Sequence, residues 1–116
     1  MSNILLLEDL PEIRAWLKVL IHQVFPQAQI SEASRVHDAL ELITAVKFDL
    51  ALIDGEMTGT AGRSVAAAIR SVPGRSRLPL VLMTTLGAQP AANDGTRDAR
   101  EGRFAAYVTK PVRPAR

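Results

Sequence analysis

Cysteine is absent from the 116 residues, which excludes a disulfide framework and any thiolate metal site. Aromatic residues are scarce, with one Trp, one Tyr and three Phe, so little ring surface is available beside the arginines for stacking on bases. No apolar run approaches the length of a bilayer crossing, and the longest, such as Ile4–Leu7 and Leu80–Met83, are strand-sized. The N-terminus has no basic stretch, long apolar segment and small-residue cleavage site of the secretory kind. These absences make the cytoplasm the expected compartment and leave no reason to expect membrane contact. Acids are few in the second half. From Arg63 onward ten Lys/Arg stand against Asp94, Asp98 and Glu101, whereas nine of the twelve acids lie at or before Glu56. A basic surface for nucleic acid is one explanation. Solvated helix faces, with a few cations kept beside an anion, explain the skew equally simply, and the scarcity of aromatics favours this second explanation. No direct nucleic-acid contact is expected.

The chain length suits one domain with one core, residues 1–116. An apolar content of 47% excludes wholesale disorder. Four short apolar runs recur: Ile4–Leu7, Leu50–Ile53, Leu80–Met83 and Phe104–Val108. They do not alternate apolar with polar, as expected of strands buried on both faces of a parallel sheet. Gln29–Ala33 is a fifth, weaker strand candidate. Between the runs lie segments of helical period. Ile13, Trp16, Leu17, Leu20, Ile21 and Val24 repeat after Pro11 and before Pro26; Val36, Ala39, Leu40 and Ile43 follow; then Val65, Ala66, Ile69 and Val72 precede Pro73-Gly74. Strand and helix therefore alternate, giving an α/β, doubly wound, five-stranded parallel sheet. Gly87–Gly102 occupies the place of a fourth helix, but Pro90, Asn93 and three glycines weaken it.

Polar residues stand at one end of these strands: Glu8-Asp9 at the first, Asp54 at the third, Thr84 at the fourth and Lys110 at the fifth. In an open parallel sheet the carboxyl ends share an edge, and ligands bind there where the strand order reverses. The order 2-1-3-4-5 sets strands one and three side by side at that reversal, so Glu8, Asp9 and Asp54 face one cleft. Three carboxylates repel unless a proton or a cation offsets them. Mg²⁺ takes oxygen ligands, one or two of them carboxylates, together with water and phosphate oxygens. Lys110 and the Thr84 hydroxyl supply a further charge and a donor. The set reads as a phosphoryl-transfer site with Asp54 as nucleophile for an acyl phosphate. Each residue also has an ordinary role open to it: Asp9 as a helix cap before Pro11, Thr84 as a strand end, Lys110 as a turn residue before Pro111. Their recurrence on successive strand ends favours the site.

The chain resembles the response-regulator receiver family of two-component signalling across almost its whole length. The resemblance rests on Ile4-Leu5-Leu6-Leu7-Glu8-Asp9, on Phe48-Asp49-Leu50-Ala51-Leu52-Ile53-Asp54 followed by Met57 and Gly62, on Leu82-Met83-Thr84, and on Tyr107-Val108-Thr109-Lys110-Pro111. It implies a flavodoxin-like fold and a phosphorelay function, in which a phosphohistidine donates to Asp54 in the presence of Mg²⁺ and the domain then switches conformation. Asp9 and Asp54 are implied as direct Mg²⁺ ligands, Glu56 through its backbone carbonyl and Glu8 through water. Lys110 is implied to pair with the phosphoryl group and Thr84 to hydrogen-bond it, with Tyr107 as the aromatic switch. The implied partners are a histidine kinase or a histidine phosphotransfer protein; self-association into a homodimer is left open. Tyr107–Pro114 and Pro79–Gly87 are most similar to receivers of hybrid sensor histidine kinases. Such a domain catalyses its own phosphorylation and dephosphorylation, without turnover of an independent substrate.

The departures carry expectations of their own. Thr58 replaces a common proline, Thr85 a common alanine or glycine, and Glu56 adds a carboxylate; the last two are expected to hinder water attack on the phosphoryl group. After Lys110-Pro111 only Val112–Arg116 remain where the family has a fifth helix. The last helix is therefore expected to be truncated, and apolar surface around Ile13, Leu17 and the first strand to be uncovered. The alternative function is a phosphorylation-independent interaction module, which would be expected to lack one of the acids, the threonine or the lysine. A Mg²⁺-dependent phosphohydrolase is a second rival, but it calls for an aspartate two residues after the nucleophile, where Glu56 stands. His22 and His37 read as surface helix residues.

Overall fold

The computed structural model describes residues 3–55, 62–85 and 106–110, with Gly62, Arg63, Thr84, Thr85, Tyr107, Thr109 and Lys110 described by their backbone. In chain order the elements are β1 (Asn3–Leu7), α1 (Pro11–Val24), β2 (Gln29–Ala33), α2 (Val36–Ala45), β3 (Leu50–Asp54), α3 (Gly62–Arg70), β4 (Leu80–Thr85) and β5 (Ala106–Lys110). All four strand pairings are parallel, in the order β2-β1-β3-β4-β5. The weak strand candidate Gln29–Ala33 is thus a full member of the sheet. The described part of the fifth strand runs from Ala106 to Lys110. Phe104, the segment Gly87–Gly102 and Val112–Arg116 lie outside the described residues.

Side chains of successive strand residues point to opposite faces, and the sheet uses both. On one face Leu5, Leu7, Ala51, Ile53, Leu80 and Leu82 meet Ala39 and Ile43 of α2 and Val65, Ala66 and Ile69 of α3. On the other, Ile4, Leu6 and Met83 meet Ile13, Leu17 and Ile21 of α1. β1 is buried throughout from Ile4 to Leu7, as a central strand covered on both faces should be. The expectation of two-sided burial does not extend to every strand. Leu50, Leu52 and Val81 are half-buried, and Val108 is 43% exposed. All lie toward the side of the sheet where α1 covers β1 and its neighbours.

Helix α1 buries a narrower stripe than its periodicity suggests. Ile13, Leu17 and Ile21 are buried, whereas Trp16 is 41%, Leu20 37% and Val24 67% exposed. Exposed apolar surface is thus found around Ile13 and Leu17 as expected, but β1 is not uncovered, and neither are the two residues themselves. These two pack on Leu6 and Met83, and the exposed apolar surface belongs to the adjoining stripe instead. Pro11 occupies the first turn of the helix, where a missing N–H costs nothing.

Arginines in the basic half have local work. Arg75 donates from Nε to Ile43 O (2.9 Å) and so satisfies a carbonyl at the end of α2. Arg70 donates to the Leu78 carbonyl, and its partial burial lowers its pKa from the ordinary guanidinium value. His22 donates from Nε2 to Ala28 O (3.0 Å) on an exposed part of α1.

Candidate functional site

The carboxyl ends of β1 and β3 are adjacent because Leu7 pairs with Ile53. One residue further along, Glu8 and Asp54 come opposite each other. Glu8 extends the ladder: its N–H donates to Ala33 O on β2 at 3.0 Å. Asp54 closes β3 in register with Met83 of β4. Glu8, Asp9 and Asp54 each bring a carboxylate oxygen to within 4.8 Å of the others. Glu8 is 0% and Asp54 1% exposed, and among the described residues these are the buried polar or charged ones; Asp9 is half-buried. Burying carboxylates together is costly unless something offsets their charge.

The loop between β1 and α1 is pinned at several points. The Glu8 carboxylate accepts from the Leu10 N–H (3.1 Å), and the Glu8 carbonyl accepts from Arg14 Nη1 (2.8 Å). Arg14 Nε donates to Glu32 Oε1 (3.1 Å), and Lys18 Nζ to Glu32 Oε2 (2.9 Å). The hydrogen bond from Lys18, with Arg14 and both positive charges adding to it, holds the Glu32 carboxyl below its ordinary pKa against a smaller opposing push from burial. The residue before the first helical turn is Leu10, with no side-chain cap bond. Asp9 therefore does not act as the helix cap that its sequence position allowed.

The opposite wall is β4. The Gly55 N–H donates to Met83 O at 2.9 Å, carrying the β3–β4 ladder one step past Asp54. Gly55 has no left-handed backbone, since Gly74 is the glycine with positive φ among the described residues. What it provides is room: a Cβ there would lie 2.9 Å from Leu82 Cδ1 and 3.2 Å from Met83 O.

Of the residues singled out in the sequence, Glu8, Asp9 and Asp54 converge in one cluster. Thr84 follows Met83 on the same strand, one register step past Asp54, and pairs with Thr109. Lys110 ends β5, paired with Thr85, and Tyr107 pairs with Leu82 inside the strand. These placements set Thr84 and Lys110 at the same edge of the sheet as the acids. Glu56, Met57 and Thr58 lie outside the described residues. Sequence reasoning passed over Arg14, Glu32 and Gly55. The signals were faint: an arginine one turn into the helix after Glu8-Asp9, and a glycine directly after Asp54.

The response regulator receiver domain family matches residues 4–116. The chain belongs to that family. Its receiver fold is shared with response regulator protein TrrA of Thermotoga maritima, solved in complex with Mg²⁺-BeF: 26% identity, TM-score 0.73, covering 95% of this chain and 87% of that one. The receiver domain of a sensor histidine kinase from Pseudomonas aeruginosa, with a magnesium ion coordinated in its active-site cleft, is similar at TM-score 0.74 and 19% identity, covering 96% of this chain and 86% of that one. Among curated proteins, the cyclic di-GMP phosphodiesterase response regulator RpfG of Xanthomonas campestris pv. campestris (strain 8004) is 29% identical over 112 residues. That match covers 97% of this receiver and 29% of the relative, so the receiver spans under a third of that protein's length. The flavodoxin-like architecture, the 2-1-3-4-5 strand order and the membership of two-component phosphorelay signalling are thus established. Among the described residues, no helix is long and apolar enough to cross a membrane.

Proposed function

We propose that this receiver accepts a phosphoryl group from a phosphohistidine onto Asp54 and passes the signal on by a change of conformation. The observation that carries the reading is the cluster of buried Glu8 and Asp54 with half-buried Asp9, their oxygens within 4.8 Å of one another. Its donor set, all carboxylate oxygen, fits a hard divalent cation. Asp9 and Asp54 would hold Mg²⁺ directly, Glu8 through water and Glu56 through its backbone carbonyl. When bound, Mg²⁺ supplies charge neutralisation for the acids and for the incoming phosphoryl oxygens.

The remaining work falls to the chain. A carboxylate oxygen of Asp54 forms the new P–O bond as the P–N bond to the donor imidazole breaks, and the electron pair stays on the imidazole nitrogen. Lys110 pairs with the phosphoryl oxygens, and Thr84 donates a hydrogen bond to them; both residues lie at the carboxyl edge beside the acids. Tyr107, on the strand that pairs with that of Thr84, serves as the aromatic switch. The donor is a histidine kinase or a histidine phosphotransfer protein, the general partners of receiver domains, and similarity at Tyr107–Pro114 and Pro79–Gly87 favours a hybrid-kinase context. The absence of cysteine favours the cytoplasm, and residues 1–116 are read as one receiver unit. The assigned chemistry is self-phosphorylation and dephosphorylation.

Incubation with acetyl phosphate and Mg²⁺ is expected to add an acid-stable, base-labile phosphoryl group, and Asp54→Asn is expected to abolish it. An unmodified wild-type protein under those conditions would overturn the reading in favour of a phosphorylation-independent interaction module.

A further inference from the structure

Asp9 is the least buried of the three acids, and where its carboxylate can reach is set in part by the backbone that carries it. The peptide plane joining Glu8 to Asp9 is held directly by one hydrogen bond, and the planes on either side of it by one each. The Glu8 N–H is held by Ala33 O at 3.0 Å, the Glu8 carboxylate binds the Leu10 N–H at 3.1 Å, and the Glu8 carbonyl, part of that plane itself, accepts from Arg14 Nη1 at 2.8 Å. The guanidinium is in turn oriented by Glu32, which accepts from Nε at 3.1 Å and is steadied by Lys18 at 2.9 Å. Arg14 is largely buried, its side chain 19% exposed. One planar fork thus joins β2, through Glu32, to the loop that presents the acids. A lysine has no such fork.

Resting on the reading of the acids as a Mg²⁺ site, we propose that Arg14, oriented by Glu32, is a positioning residue for that site: it fixes the Glu8–Asp9 peptide plane and so aims Asp9. The proposal makes a prediction of sign. As a bare positive charge, Arg14 opposes a cation nearby, so its removal should tighten Mg²⁺ binding. As a positioning residue, its removal should weaken binding, and partners one step removed from a metal characteristically matter by about 10- to 100-fold.

The test is calorimetric titration of the chain with MgCl₂, with thermal melts in EDTA alongside. Arg14→Met, which keeps the apolar stem, is expected to weaken Mg²⁺ binding by roughly 10-fold. Arg14→Lys, which keeps the charge and loses the fork, is expected to fall well short of wild type. Glu32→Gln leaves Arg14 in place and lies on the surface; it is expected to weaken binding by about 3-fold, and to have no further effect in the Arg14→Met background if the two act in series. Tighter or unchanged binding in Arg14→Met overturns the proposal, as does full binding in Arg14→Lys or an independent effect of Glu32→Gln. Should Arg14→Met melt early, Glu32→Gln decides alone. Asp9→Asn separates the layers: a wild type with no Asp9-dependent Mg²⁺ binding fails the underlying site reading and takes the proposal with it. Asp9-dependent binding that is indifferent to Arg14 and Glu32 fails the proposal only.

Discussion

Glu32 receives Lys18 on one oxygen and Arg14 on the other, and its carboxyl is held below the ordinary glutamate pKa, first by the Lys18 hydrogen bond. A carboxyl whose folded pKa is depressed adds stability above its unfolded pKa, and that stability is lost as pH falls through the folded value. The side chain is about a third exposed, 36%, so solvent screening keeps the gain to about 0.2–1 kcal/mol. Urea unfolding of Glu32→Gln at neutral pH should show a loss of that size. Well below the ordinary glutamate range, once the pH has also passed the lowered folded value and the carboxyl is protonated in both states, the difference should vanish. An equal gap at both pH values would mean the effect is packing and not charge. This pair of contacts was not legible in the sequence. Glu32 and Arg14 are far apart in the chain, and only the pairing of Leu6 with Glu32 brings β2 against α1 at that height. Asp54 was legible because it interrupts an apolar strand, a signal carried in neighbouring residues.

At the scale of the element, α1 shows why a periodic pattern outruns burial. Six apolar residues recur at helical spacing, but a helix lying on a sheet presents only part of its circumference to the core. Ile13, Leu17 and Ile21 take that part, and Trp16, Leu20 and Val24 stand beside it. Hydrophobicity alone cannot separate the two stripes, because both repeat at the same spacing; the register on Leu6 and Met83 separates them. Leu17→Ala should cost about 2–5 kcal/mol, the range for a buried leucine. Val24→Ala, on the exposed stripe, should stay within about 0.5 kcal/mol. Chemical denaturation of the two variants compares the stripes directly, and similar losses in both would contradict the packing described. For β5 the described pairing runs from Ala106 on Val81 to Lys110 on Thr85, so Lys110 ends the strand as its place after the apolar run suggested.

For the molecule as a whole, the sequence carried the architecture well. Alternating strand and helix segments allow few topologies, and the reversal of strand order beside β1 and β3 fixed where the acids would gather. The same assembly exacts a cost in the absence of a cation. Three clustered carboxylates, two of them buried, repel by roughly 1–3 kcal/mol per pair at intermediate dielectric. In EDTA, Asp54→Asn should therefore unfold at a higher urea concentration than wild type. Saturating Mg²⁺ should narrow or reverse the gap, since only the wild type retains the full site and gains by mass action. A variant less stable than wild type in EDTA would show that the Asp54 carboxylate stabilises the metal-free fold.

The parallel ladder between β1 and β3 also bears on when the acids can meet. Parallel neighbours cannot be joined by a tight turn, so α1, β2 and α2 all lie in the chain between Glu8 and Asp54, and the two meet only through a long-range pairing. Such distant pairings are the slow part of a folding reaction. A collapsed chain with its helices formed and its strands apart has no cluster of acids for a cation to find. The cation site therefore comes into being in the same step that commits the chain to its topology, and an ion bound there acts as a brake on unravelling more than as a guide to folding.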